Sequence, residues 1–176
     1  MHFSKTPISG VWLIEQARHE DARGFFARTF SPDMFIASGV SFNPQQHSMS
    51  HNTLAGTLRG MHLQKPPQSE QKLVRCTRGA VFDVALDLRE TSPTYKQWYG
   101  AKLTADNGHS LFIPRGCAHG FITLEDNCDM LYLIDTPYAA DLAYGVRWDD
   151  AAFGIAWPRQ PVVVSDRDNA WPDYAA

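Results

Sequence analysis

The chain has 176 residues, 44% hydrophobic and 20% charged, with a formal net charge of −3. That length suits one domain with its own core, read as spanning residues 1–176, and the mildly acidic balance argues against nucleic acid or an anionic membrane as a partner, since both need a basic face. Met1-His-Phe-Ser-Lys5 lacks an apolar signal region, no apolar run reaches membrane-spanning length, and Cys76, Cys117 and Cys128 lack metal or disulfide spacing, all of which fit a reducing cytoplasm.

Short segments rich in β-branched and aromatic residues, separated by Gly, Pro, Asn and Asp, predict an all-β domain. Residues 10–15 and 24–30 predict strands, the second alternating well enough to be half-buried. Residues 31–39 predict a short helix, with Ser31 as N-cap, Pro32 in the first turn and Gly39 as the stop. From residue 57 strands follow closely, over 57–63, 72–78, 80–87, 97–103, 110–113, 118–124 and 129–134. Arg78-Gly79 and Asp106-Asn107-Gly108 supply turns. Beyond Ala139 the chain is turn-rich and carries Trp148, Trp157 and Trp171, predicting a helical turn or two packed outside the barrel. Many short antiparallel strands without helical periodicity predict a jelly roll or sandwich that closes its own edges.

Two histidine-centred strings carry the chemistry. The first is Gly56-Thr-Leu-Arg-Gly-Met-His62-Leu-Gln64, with Glu70 and Lys72 beyond it; the second is Gly108-His-Ser-Leu-Phe-Ile-Pro114-Arg-Gly116-Cys-Ala-His119. They read as the two halves of a cupin-type jelly-roll β-barrel with a few short peripheral helices. A cupin metal site wants His-x-His in the first half. Gln64 takes the second position here, and Lys72 follows, which points to proton transfer on an anionic substrate with no metal. Period 2 puts Gly60, His62 and Gln64 on one strand face, so Arg59 joins their pocket only if Gly60 marks a bulge. Pro114-Arg-Gly116 lets the chain re-enter the barrel with His119 inside.

The remaining candidates each have two readings. Lys72 is either a solvated edge lysine or a buried cation that stabilises a forming oxyanion. Tyr132 is either a core aromatic or a proton-donating phenol. Arg23 is either a surface arginine or one prong of a phosphate clamp with Arg59. Asp168 matters only if the C-terminal tail folds back to hydrogen-bond His62 and fix its tautomer. A rival reading makes His62, Glu70 and His119 metal ligands, although the Lys72 cation would repel a dication there.

These residues together resemble one family, the dTDP-4-dehydrorhamnose 3,5-epimerases and their relatives acting on nucleotide-linked 4-keto sugars. The resemblance covers nearly the whole chain. It rests on Asp21-x-Arg23-Gly24-x-Phe26, the two histidine strings, Lys72-Leu-Val, Phe82-Asp-Val-Ala-Leu-Asp87-Leu-Arg89, Ser92-Pro-Thr94, Tyr132, Tyr138, Trp148-Asp-Asp150, Ile155-x-Trp157-Pro158 and Ser165-x-x-Asp168. It implies a metal-free, cofactor-free cupin homodimer in which N-terminal strands help complete the partner's sheet, with a nucleotide-diphosphate sugar as substrate. It implies His62, paired with Asp168, as base, Tyr132 as acid on the opposite face, and Lys72 as holder of the enolate. Arg23, Arg59 and His119 would bind substrate, with Phe26 against the nucleotide or sugar; Gln64 and Tyr138 join the substrate-binding set.

The chain also departs from the rhamnose-pathway pattern. Arg28 and Ala143 stand where that pattern has glutamates, His47-Ser-Met-Ser-His-Asn52 replaces a Gln-Asp-Asn segment, and Glu70 replaces a glutamine. These changes spare the proton-transfer set. They resemble relatives working on other sugars, which keeps in view a C5- or C3-only epimerase of a CDP- or dTDP-linked deoxy or dideoxy 4-keto sugar. A metal-dependent cupin oxygenase or isomerase and a non-catalytic sugar-binding module are the remoter alternatives.

Overall fold

The computed structural model describes residues 1–174. In chain order its elements are β1 (His2–Lys5), β2 (Trp12–Glu15), β3 (Arg18–Asp21), β4 (Gly24–Ala27), α1 (Pro32–Ala37), β5 (Gln46–Asn52), β6 (Thr57–Gln64) and β7 (Lys72–Arg78). They continue with β8 (Ala80–Asp87), β9 (Trp98–Thr104), β10 (Ser110–Ile113), β11 (Cys117–Thr123), β12 (Cys128–Ile134), β13 (Ala143–Gly145), β14 (Val163–Val164) and α2 (Asp166–Asn169). One sheet has the order β1-β2-β10-β7-β12-β5; the facing sheet has the order β13-β6-β11-β8-β9, with β14 also on β6. The β3–β4 hairpin pairs with neither. The all-β jelly-roll expectation holds.

Alternation along the strands explains the layers. In β8, Val81 and Ala85 face the core between the sheets, beside Val74, Leu111, Phe121 and Met130. The intervening Val84 and Leu86 face outward under Val146 and Phe153 of the C-terminal segment. β8 is therefore covered on both faces, which is why it reads as a nearly unbroken apolar run. On the opposite sheet, Leu73, Phe112 and Leu133 point outward and are covered by Phe35 and Phe42. Phe35, fully buried on α1, contributes about 1.5–3 kcal/mol by leaving water.

Some element boundaries differ from expectation. β4 stops at Ala27 because Phe30 turns away to pack on Phe35, ring centroids 5.0 Å apart. Ser31 precedes α1 in an extended conformation, but its side chain makes no capping bond; Pro32 begins the helix, and Gly39 ends it at φ +79°. The polar β5 and the short β1, β3, β13 and β14 carry weak sequence signals. The C-terminal segment covers the outer face of β8 through Val146, Phe153 and Trp157, as expected, while α2 contacts β6 beside the cavity.

Candidate active site

Inward-facing residues at one end of the sandwich line a cavity of about 760 Å³. β5 contributes Ser48 and Ser50, β6 Arg59 and His62, β7 Lys72, β11 His119 and β12 Tyr132. Ordinary alternation places most of them: Lys72 shares a face with Val74 and Cys76, and Tyr132 with Met130.

β6 needs one irregularity. His62 pairs with His119, but Arg59 pairs with Phe121, so three steps on β6 match two on β11. This bulge at Gly60 and Met61 returns Arg59 to the His62 face, the condition that the sequence had set. Gly60 has φ +142°, and a Cβ there would lie 2.6 Å from the Gly120 Cα. Arg59 is then fixed by its Nε–H to Asn52 Oδ1 at 2.8 Å and by Nη2 to the His51 carbonyl at 3.4 Å.

The tail completes the site. β14 pairs in parallel with the start of β6, Val163 with Thr57 and Val164 with Leu58, so the following α2 arrives beside Gly60 and His62. Ser165 caps α2 by accepting from the Asp168 N–H at 3.2 Å. The Asp168 carboxylate meets His62 Nε2 at 2.5 Å and accepts from the Gly60 N–H at 3.3 Å. Burial pushes Asp168 up, but the His62 hydrogen bond and charge, with the Gly60 and Ser165 contacts, outweigh it and hold the carboxyl below its ordinary range. An ionised carboxylate only accepts, so His62 Nε2 carries the proton between them, and in the neutral imidazole that leaves the lone pair on Nδ1.

Lys72 is buried, at 8% exposure; its Nζ lies 2.8 Å from Glu70 Oε1 and donates to the His62 carbonyl at 3.3 Å. The solvated-lysine reading therefore fails. His119 Nε2 lies 2.8 Å from Asp83 Oδ2. Burial pushes Asp83 up, opposed by the charge and hydrogen bond of His119 and by Lys72. The Tyr132 ring meets His119 edge-on at 6.0 Å, and its hydroxyl lies 3.0 Å from Ser50 Oγ. Burial pushes the phenol up to about 12, with Ser50 and Arg59 pulling the other way, so it stays protonated at neutral pH. The arrangement offers a base, a phenolic acid and an ammonium around one cavity.

Not every expected residue meets there. Gln64 is 2% exposed, and both ends of its amide bind backbone: Nε2 donates to Gln68 O at 3.0 Å and Pro137 O at 3.2 Å, while Oε1 accepts from Ala139 N–H at 2.6 Å. It holds the 137–139 loop and also lines the cavity wall. Tyr138, 63% exposed, sits at the cavity rim. Arg23 pairs with Asp21 at 2.6 Å, and its side chain is 90% exposed; Phe26 is 70% exposed. Both sit on the β3–β4 hairpin and are not among the residues lining this chain's own cavity. Glu70, His62 and His119 pair with Lys72, Asp168 and Asp83 respectively, and among the described residues no three His, Cys, Asp or Glu gather as a metal-ligand set. Sequence reasoning gave no role to Asp83, Ser50 or Arg167, which also lines the cavity. Period 2 from Val81 and Ala85 would have placed Asp83 inside.

Comparison with known proteins shows the family. A family model described as dTDP-4-dehydrorhamnose 3,5-epimerase matches residues 5–176. A dTDP-4-dehydrorhamnose 3,5-epimerase of Sinorhizobium fredii is 41% identical over 173 residues, covering 98% of this chain and 89% of the relative. The crystal structure of a dTDP-4-dehydrorhamnose 3,5-epimerase from Bacillus anthracis with TDP and PPi bound superposes with a TM-score of 0.95 at 38% identity, covering 98% of this chain and 99% of that one. A dTDP-6-deoxy-D-glucose-3,5-epimerase from Legionella pneumophila, in complex with dTDP-4-keto-L-rhamnose, superposes with a TM-score of 0.90 at 32% identity, covering 99% of each chain.

Proposed function

The chain belongs to the dTDP-4-dehydrorhamnose 3,5-epimerase family and is an isomerase of deoxysugar biosynthesis, and from that premise we propose that its cavity inverts C3 and C5 of a dTDP-linked 4-keto-6-deoxyhexose by proton transfer through an enolate. The C4 ketone acidifies the neighbouring C–H bonds because the carbanion delocalises onto oxygen. His62 Nδ1 takes the proton, Asp168 steadies the resulting imidazolium, and Lys72 stabilises the enolate oxygen. Tyr132 then delivers its proton from the other face, and the carbon inverts. Each positioned acid or base is worth about 10²–10⁴ in rate, and losing the lysine donor costs roughly 3–4 kcal/mol of activation energy.

The observation that carries this reading is the His62–Asp168 pair at 2.5 Å in a cavity that also exposes Lys72 and Tyr132. Arg59 and His119 bind the diphosphate sugar, and Tyr138 covers it at the rim. The single-centre, CDP-linked and metal-dependent alternatives are not favoured: curated relatives at 41% and 40% identity are dTDP-4-dehydrorhamnose 3,5-epimerases. We read residues 1–176 as one epimerase domain that works as a homodimer, with Arg23 and Phe26 serving the partner's cavity. Three buried unpaired cysteines suit a cytoplasmic enzyme, and no helix among the described residues is long and apolar enough to cross a membrane.

The test is solvent exchange. Incubated with dTDP-4-keto-6-deoxyglucose in D₂O, the protein incorporates deuterium at C3 and C5, located by NMR, and His62→Ala abolishes it. Wild-type uptake in that variant rejects His62 as the base.

A further inference from the structure

The acid in this reaction must present its proton to the cavity, yet a phenol rotor has two in-plane directions. What decides between them is the donor chain behind it. Arg59 Nε–H donates to Asn52 Oδ1 at 2.8 Å. The other end of that amide donates from Nδ2 to the Cys128 carbonyl at 3.2 Å and, more weakly, to Ser50 Oγ at 3.5 Å. Asn52 is 2% exposed, and these partners fix its orientation, carbonyl toward the guanidinium and amide hydrogens toward Ser50. Ser50 Oγ thus receives a hydrogen from behind, and its own hydroxyl hydrogen turns to the acceptor ahead, the Tyr132 oxygen 3.0 Å away. Each link donates in the same direction, and such chains polarise one another. Ser48, Ser50 and Asn52 lie at alternate positions of β5, on the face shared with Tyr132.

We propose that Ser50 is a positioning residue for Tyr132: it donates to the phenol oxygen, leaves the phenol's own proton aimed at the substrate carbon, and holds the phenolate formed when that proton departs. The step balances within the proton transfer proposed above. The enolate electron pair forms the new C–H bond, the Tyr132 O–H bond breaks, and the phenolate keeps its electron pair under the Ser50 hydrogen bond. His62 afterwards loses to solvent the proton it gained, and Tyr132 regains one. The proposal rests on Tyr132 as the acid. It also connects the acid to Arg59, so a diphosphate bound to that guanidinium lies at the far end of the same donor chain.

The experiment separates proton removal from inversion. In D₂O with dTDP-4-keto-6-deoxyglucose, deuterium uptake and epimerised product are measured side by side for the wild type, Ser50→Ala, Ser50→Thr and Tyr132→Phe. Loss of a hydrogen bond to developing charge predicts about a tenfold fall in inversion by Ser50→Ala. Uptake on the His62 face falls less, so the ratio of exchange to inversion rises while KM holds. Ser50→Thr restores both inversion and the ratio. An unchanged ratio in Ser50→Ala overturns the proposal. If the alanine variant melts early, Ser50→Cys, close in size but a poor donor, faces the same ratio test. Wild-type inversion in Tyr132→Phe would instead remove the acid assignment itself.

Discussion

At the scale of single residues, the proposed base depends on one carboxylate. The Asp168 side chain is 5% exposed and bonded to His62 Nε2, so Asp168→Asn replaces an acceptor-only group by an amide that is able to stabilise the wrong imidazole tautomer. The expected loss in kcat is about 10²–10⁴ with little change in KM, measured by steady-state kinetics; a loss confined to KM would show that Asp168 binds rather than orients. Glu70 makes the opposite kind of prediction. Its carboxylate lies 2.8 Å from the Lys72 ammonium and offsets part of the charge that the enolate needs. Glu70→Gln keeps the size and removes the charge, so deuterium exchange accelerates a few-fold, and a slower variant would mean that Glu70 chiefly holds the lysine in place.

At the scale of elements, the β8 terminus and the following turn form an acid-sensitive clasp. Asp87 is fully buried and bonded to Arg89, Ser92 and Thr94; burial pushes its carboxyl up, and these donors outweigh that and bring it down to about 2 from 3.8. The folded value lies below the unfolded one. The stabilisation is therefore complete above about pH 4 and fades as pH falls through about 2, and it amounts to about 2 kcal/mol. Urea unfolding at pH 6 and pH 2.5 should show this slope in the wild type and lose it in Asp87→Asn. The same scale shows what the sequence could disclose. β7, β8, β10 and β12 were legible because burial on one or both faces forces apolar patterns, and Lys72 and Tyr132 could be assigned a face by counting twos. β5, Gln46-His-Ser-Met-Ser-His-Asn52, was not, because its strand character comes from pairing with β12 rather than from apolar side chains. Ser50 was read there only as part of a segment that departs from the family pattern. A motif position likewise does not say that loop backbone groups will take up the Gln64 amide. The arrival of Asp168 depended on β14, two residues long, whose pairing with β6 leaves no local signature.

At the scale of the whole molecule, one feature is unaccounted for by a single chain. The β3–β4 hairpin stands apart from both sheets and carries Phe25 and Phe26 at 53% and 70% exposure. A lone two-stranded ribbon is marginal in water, and adjacent exposed phenylalanines ask for a covering surface. If two copies exchange hairpins, each site takes Arg23 from one chain and His62 from the other. Subunit mixing tests this directly. Arg23→Ala and His62→Ala homodimers are each impaired, the first in substrate binding and the second in chemistry. Unfolded together and refolded as a mixture, half the dimers are heterodimers, and each heterodimer rebuilds one intact site while combining both lesions in the other. Activity at subsaturating substrate should rise to about a quarter of the wild-type value, the figure for random pairing of two equivalent subunits. If Arg23 serves the cavity of its own chain, no pairing reunites the two intact residues, and the refolded mixture stays at the average of its parents.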